Sequence, residues 1–145
     1  MQQHRIIELG DATLECTLCG SGAPVVLLAN AGCSTGYFDQ LARTLVTGGF
    51  QTISINIRGV GGSRGSLDGA TLHDLAGDVA GVIKAIGRGP AHLVGHAFGN
   101  RIARFSIAAR VKLRPDYLMP SPFCAPANDA TRGSCFSSRS AQAAS

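Results

Sequence analysis

The stretch HLVGHAFGNRIAR, residues 92–104, constrains the fold more than any other part of the chain. A short apolar run ends at Gly95, and a helical face of Ile102, Ala103 and Ser106 begins just after Gly99. A strand must therefore turn into a helix within a few residues. Glycines on both flanks of such a turn let the two backbones approach where a Cβ would collide. At the middle of the turn stands Ala97. Its methyl group can neither attack an electrophile nor carry a proton.

The segments before this turn alternate between the two periodicities of secondary structure. RIIEL (5–9) and ATLECTL (12–18) read as strands around a Gly10-Asp11 turn. VVLLA (25–29) is continuously apolar, as suits a parallel strand covered on both faces. Phe38, Leu41, Ala42, Leu45 and Val46 recur at helical spacing and stop at Gly48-Gly49. TISINI (52–57) is the next strand, followed by the glycine-rich loop RGVGGSRGSLDG. The spacing predicts a helix over 71–86. Thr71 and Asp74 form a capping box at its start, and Gly87 stops it. Gly77 and Gly81, one turn apart, are expected to bring that helix close to the sheet. Strand 91–94 and the turn follow. A leading hairpin and then strand–helix alternation predict an α/β fold, a mostly parallel sheet with helices on both faces.

Beyond residue 110 the character changes. The stretch 111–145 holds four of the six prolines, with six serines and six alanines, and no period survives in it. It is expected to be a low-complexity, disordered C-terminal tail. Two readings of this abrupt change stand: a reading frame lost near residue 110, or a genuine short protein with such a tail. Residues 1–110 are then one partial domain.

Charge and cysteines exclude several classes. The net charge is +4, but the arginines are scattered, so no nucleic-acid footprint is expected. No apolar run approaches the ~18 residues of a membrane span, and MQQHRIIELGD lacks the apolar core of a signal peptide. Cys16 and Cys19 have metal-site spacing, but no second pair or nearby histidine completes it, and on a strand they point to opposite faces. The five cysteines read as reduced thiols of a cytoplasmic protein. No metal and no cofactor are expected.

Four local patterns in order carry a family resemblance. VVLLANAG resembles a third strand entering an oxyanion loop. FDQLARTLVTGGFQTISINIRGVGGSRG resembles the next helix, strand and Arg-Gly loop. TLHDLAGDVAGVIKAIG resembles the helix before the turn, and HLVGHAFGNRIARF the nucleophile elbow with its helix. Residues 1–110 thus resemble the N-terminal half of an α/β-hydrolase-fold protein. In that family the elbow reads Gly-x-Ser-x-Gly, so the nucleophile position is Ala97. The resemblance implies an oxyanion hole made by the backbone N–H groups of Phe98 and Ala31. It also implies a pocket for a small-molecule substrate or ligand, lined by Asn30, Gly32, Cys33 and His96. Two departures matter. Ala29-Asn30 stands where the family commonly has His-Gly. No histidine follows His96, so the order nucleophile, acid, histidine has no base within these residues.

Blander readings compete for several residues. Cys33 as a substitute nucleophile would need a base from His73 or His96; otherwise it is a half-buried structural thiol. His96 either faces the pocket or packs sideways with its ring satisfied by the backbone. Asp74 reads as a cap, Asp78 as a solvated helix face, and Arg101 and Arg104 as exposed charges. Loop 58–66 lacks the phosphate-loop pattern and reads as structural. Three functional readings stand. One is a hydrolase-family chain, ancestrally acting on a small organic substrate and inactive here. The second is a non-catalytic small-molecule-binding or interaction protein on a degenerate hydrolase fold. The third is an enzyme with another nucleophile. With strand 91–94 left at the sheet edge, self-association through that edge is expected.

Overall fold

A computed structural model describes residues 2–87 and 90–108. The expected disorder of 111–145, with Cys124 and Cys135, lies outside the described residues.

Five strands form one mixed sheet in the order β1-β2-β4-β3-β5. β1 (Gln2–Glu8) and β2 (Thr13–Cys19) make an antiparallel hairpin, closed by Glu8 opposite Thr13. The Leu9 N–H donates to the Ala12 carbonyl at 2.7 Å across the turn, which Gly10 negotiates at φ +73°. β2 pairs antiparallel with β4 (Phe50–Ile55). β4, β3 (Ala23–Leu28) and β5 (His92–Gly95) run parallel.

Side-chain alternation splits the sheet into two cores. Val26, Leu28, Ile53, Ile55 and Leu93 face α2 (Leu72–Ile86) and α3 (Phe98–Ala108), against Leu75, Val79, Val82 and Ile102. Val25, Leu27 and Ala29 face α1 (Asp39–Thr47), against Phe38 and Ala42. β3 is covered on both faces, which is why its sequence is apolar without alternation. A 3-10 turn, Thr35–Phe38, leads into α1. Among the described residues β1 and β5 are the two edge strands of the sheet.

The capping box of α2 is present. Thr71 Oγ1 accepts the Asp74 N–H at 3.3 Å, and the Asp74 carboxylate accepts the Thr71 N–H at 2.7 Å. Gly87 ends the helix at φ +70°. The expectation for Gly77 and Gly81 needs correcting. A Cβ at Gly81 would come within 2.7 Å of Leu9, a residue of the β1–β2 turn rather than of the sheet, and one at Gly77 would meet nothing within 4 Å.

Candidate functional site

The β5–α3 turn is built by what its glycines lack. A Cβ on Gly95 would stand 2.5 Å from the Gly99 carbonyl oxygen, and one on Gly99 would overlap the carbonyl oxygen of Leu28 on β3. Only with both absent can α3 start against the ends of two strands. The His96 N–H donates to the Leu28 carbonyl at 3.0 Å, extending the β3–β5 ladder by one bond. The Gly99 and Asn100 N–H groups then donate to His96 and Ala97 carbonyls at 2.9 and 3.1 Å, closing the first helical turn. Between them Ala97 sits at φ +50°, the only non-glycine residue at positive φ among those described. That conformation costs an L-residue about 1–2 kcal/mol, so the surrounding contacts hold it there.

The loop after β3 comes to meet this turn. Asn30 Oδ1 accepts the Phe98 N–H at 3.3 Å, and the Asn30 carbonyl accepts the Cys33 N–H at 3.0 Å. Ala31 and Gly32 stand exposed at the crest of the loop. Tyr37, a residue that sequence reasoning passed over, reaches across to His96. Its hydroxyl lies 3.2 Å from His96 Nδ1, and the two rings stack at 5.3 Å and 21°. The His96 ring is therefore partnered by a side chain and not, as one reading had it, by the backbone. The structure thus brings Asn30, Phe98, Tyr37 and His96 together around Ala97.

It does not bring a base to Cys33. That residue packs half-buried against the α1-side core. The His73 ring lies edge-on to Phe105 at 4.9 Å, and the His96 ring is stacked on Tyr37. Both imidazoles are engaged elsewhere.

Behind the site, buried polar groups tie the loops to the sheet. Asn56, at the end of β4, accepts the Thr35 N–H at 2.7 Å and donates to the Glu15 carboxylate at 2.6 Å. Glu15 also accepts the Gly62 N–H at 2.8 Å. The Gly62 and Asn56 donors hold the Glu15 carboxyl below its usual range. A carboxylate of the chain itself thus fills the glycine loop where an anion would sit, in accord with its structural reading. Burial pushes the Cys16 thiol up to about 12. Asp78 corrects the expectation of a solvated face: it is buried and pairs with Arg58 Nε at 2.7 Å. Arg58 also reaches the exposed Asp11 at 2.8 Å, which ties the β1–β2 turn and α2 to the loop after β4. Arg101 and Arg104 are exposed. Among the described residues no group of three His, Cys, Asp or Glu side chains is placed to hold a metal, and no helix is long and apolar enough to cross a membrane.

Comparisons with known proteins bear on the same architecture. The chain is 34% identical over 108 residues to a 2-(acetamidomethylene)succinate hydrolase of Mesorhizobium japonicum, covering 74% of this chain and 37% of that protein. It is 29% identical over 104 residues to a fluoroacetate dehalogenase of a Burkholderia species, covering 68% and 34%. It therefore spans well under half the length of these relatives. Among solved structures, an epoxide hydrolase from an endophytic Streptomyces superposes with a TM-score of 0.72 at 24% identity, over 77% of this chain and 34% of that one. Epoxide hydrolase A from Mycobacterium thermoresistibile gives 0.66 at 22%, over 71% and 34%. At that identity the likeness speaks for the fold alone. Residues 24–110, more than half of the chain, match the family described as alpha/beta hydrolase fold, and to that family this chain belongs.

Proposed function

We propose that this chain carries the nucleophile-elbow half of a hydrolase built for a small organic molecule, and that the chain itself does not hydrolyse. The observation that carries this reading is Ala97 at φ +50° between Gly95 and Gly99. The strained apex that presents a nucleophile in this family is intact, and the residue presented has only a methyl group. Two further features support it. The Phe98 N–H, assigned by resemblance to the oxyanion hole, is bonded to Asn30 Oδ1, so a developing oxyanion would have to displace that side chain. And residues 97–145 hold no histidine to follow the nucleophile position as base. The hydrolytic relatives support a small, polar organic ligand as the ancestral substrate class. The free thiols of Cys16, Cys19 and Cys33 support the cytoplasm as its location.

The test is turnover. Purified chain incubated with a panel of activated esters, amides, epoxides and haloacids is expected to match the buffer rate. Saturable turnover abolished by thiol alkylation would replace this reading with that of an enzyme using a cysteine.

A second reading is an interaction module. β5 is an edge strand of the described sheet, and an unpaired strand edge offers hydrogen bonds to a second copy. Sedimentation across a concentration series is expected to show reversible self-association; a monomer throughout would remove this reading.

A further inference from the structure

Gln51, the second residue of β4, breaks the pattern of its strand. Alternation puts it on the face of Ile53 and Ile55, toward the core under α2, where an apolar side chain is the ordinary choice. It is only 6% exposed. Its carboxamide oxygen is shut off from solvent and accepts no hydrogen bond among the described residues. Buried acceptors without a donor are rare, and each calls for an explanation. Positions that break a local rule at a cost in stability concentrate at functional sites.

Gln51 lines a cavity of about 520 Å³ beside the C-terminal end of α2, with Leu18 and Ile86 as apolar walls. That volume suits a small ligand. Gln3 pairs with Leu18, and Leu18 with Ile53, so Gln3 and Arg5 share this face from β1. Arg5 is exposed, and its guanidinium makes one long hydrogen bond among the described residues, to Gln3 Oε1 at 3.5 Å. Ser21, after β2, adds a hydroxyl to the lining. The cavity lies where β4 begins, whereas the β5–α3 turn lies where the parallel β5 ends.

We propose that this cavity binds a short aliphatic monoacid ending in a primary amide, at a site separate from the hydrolase-type one. No hydrogen bond holds the Gln51 oxygen where it lies, so packing alone opposes a turn of the carboxamide into the cavity it lines. A primary amide matches Gln51 group for group: its N–H donates to Oε1, and its carbonyl accepts from Nε2. Arg5 takes the carboxylate, whose two oxygens fit the guanidinium fork. Arg5 is the one charged residue lining the cavity among those described, so a single negative charge is matched. β2 separates β1 from β4, which sets Arg5 and Gln51 two strand spacings apart, about 10 Å at the backbone. A spacer of a few methylenes, packed on Leu18 and Ile86, spans what the Arg5 side chain does not.

The experiment is a titration of the full chain with the monoamide of glutaric acid, followed by the backbone amide resonances. Saturable shifts are expected at Gln3, Ser21 and Gln51, with none at Phe98. Monomethyl glutarate, which lacks the N–H, and glutaramide, which lacks the charge, are each expected to bind at least ten-fold more weakly. Gln51→Leu is expected to abolish binding while the unliganded chain melts no lower than the parent, since an acceptor without a donor has been removed. Arg5→Gln, an exposed change that leaves the core alone, is expected to weaken binding at least ten-fold. No saturable shift, equal binding of either control compound, binding untouched by these variants, or a lower melt for Gln51→Leu would overturn the proposal.

Discussion

Asn30 Oδ1 accepts the Phe98 N–H at 3.3 Å, joining the loop after β3 to the first turn of α3 across 68 residues of sequence. The bond places an amide carbonyl oxygen on the donor that, by family resemblance, would stabilise an oxyanion. Its length marks it as a modest bond that a better acceptor can displace. The loop is also anchored independently, through Thr35 on Asn56.

Removing that acceptor should therefore be a local event. Asn30→Ala is expected to cost about 1 kcal/mol of stability or less, and to raise the hydrogen-exchange rate of the Phe98 amide several-fold. An unchanged Phe98 rate would mean that the bond is not kept in solution.

The turn should respond to glycine in opposite senses at neighbouring positions. Gly99→Ala drives a Cβ onto the Leu28 carbonyl and is expected to cost at least about 3 kcal/mol or to prevent folding. Ala97→Gly relieves a positive φ and is expected to be neutral or stabilising by up to about 1 kcal/mol. Denaturant melts of the two variants check both, and a destabilised Ala97→Gly would contradict the strain at the apex.

Arg58 holds two carboxylates of different worth. Asp78 is buried with it, so Asp78→Ala leaves the buried guanidinium with only the exposed Asp11 as partner and is expected to cost about 3 kcal/mol. The Asp11 side chain is 76% exposed, and Asp11→Ala is expected to cost a small fraction of that. Equal losses in the two melts would mean that Asp78 is not the structural partner.

Acid should loosen the loop after β4. The Glu15 carboxyl is held below its ordinary value of 4.5 by Gly62 and Asn56. Its contribution is therefore complete above that value and is lost as pH falls through the lower, folded one. Stability is expected to decline below about pH 4.5, and Glu15→Gln to flatten that part of the profile. Asp11 and Asp74 shift in the same direction and leave a residual slope in the variant. A profile that Glu15→Gln leaves unaltered would contradict the assignment.

Thiol reactivity should separate the described cysteines. With its thiol pushed up to about 12 and fully buried, Cys16 is expected to resist alkylation at pH 8 in the native chain, while Cys19 and Cys33, both half-buried, react. Peptide mapping after labelling reads this directly. Labelling of Cys16 as fast as of the other two would mean that β2 opens readily.

What was legible beforehand follows from range. The capping box at Thr71 and Asp74, the stop at Gly87 and the two glycines of the β5–α3 turn act within a few residues, and local spacing displays them. The buried role of Asp78 depends on Arg58, twenty residues upstream, so spacing alone left it on a solvated face. Asn30 and Phe98, or Tyr37 and His96, are 68 and 59 residues apart. Neither pair has a local signature, and the sheet order that brings them together is set by long-range pairing. The burial of Thr52 and Ser54 has no local signature either. They alternate with Ile53 and Ile55 along β4, and only the packing of β2 and α1 decides that both faces are covered.

The most direct test of the central claim is to return a nucleophile to the apex. Ala97→Ser is treated with a fluorophosphonate and an activated ester, and intact mass and product release are followed. The account predicts neither an adduct nor hydrolysis above buffer, because no histidine follows residue 97 in these 145 residues to take the serine proton. A stoichiometric adduct with turnover of the ester would contradict it, since a working base and oxyanion hole would then have survived in this chain.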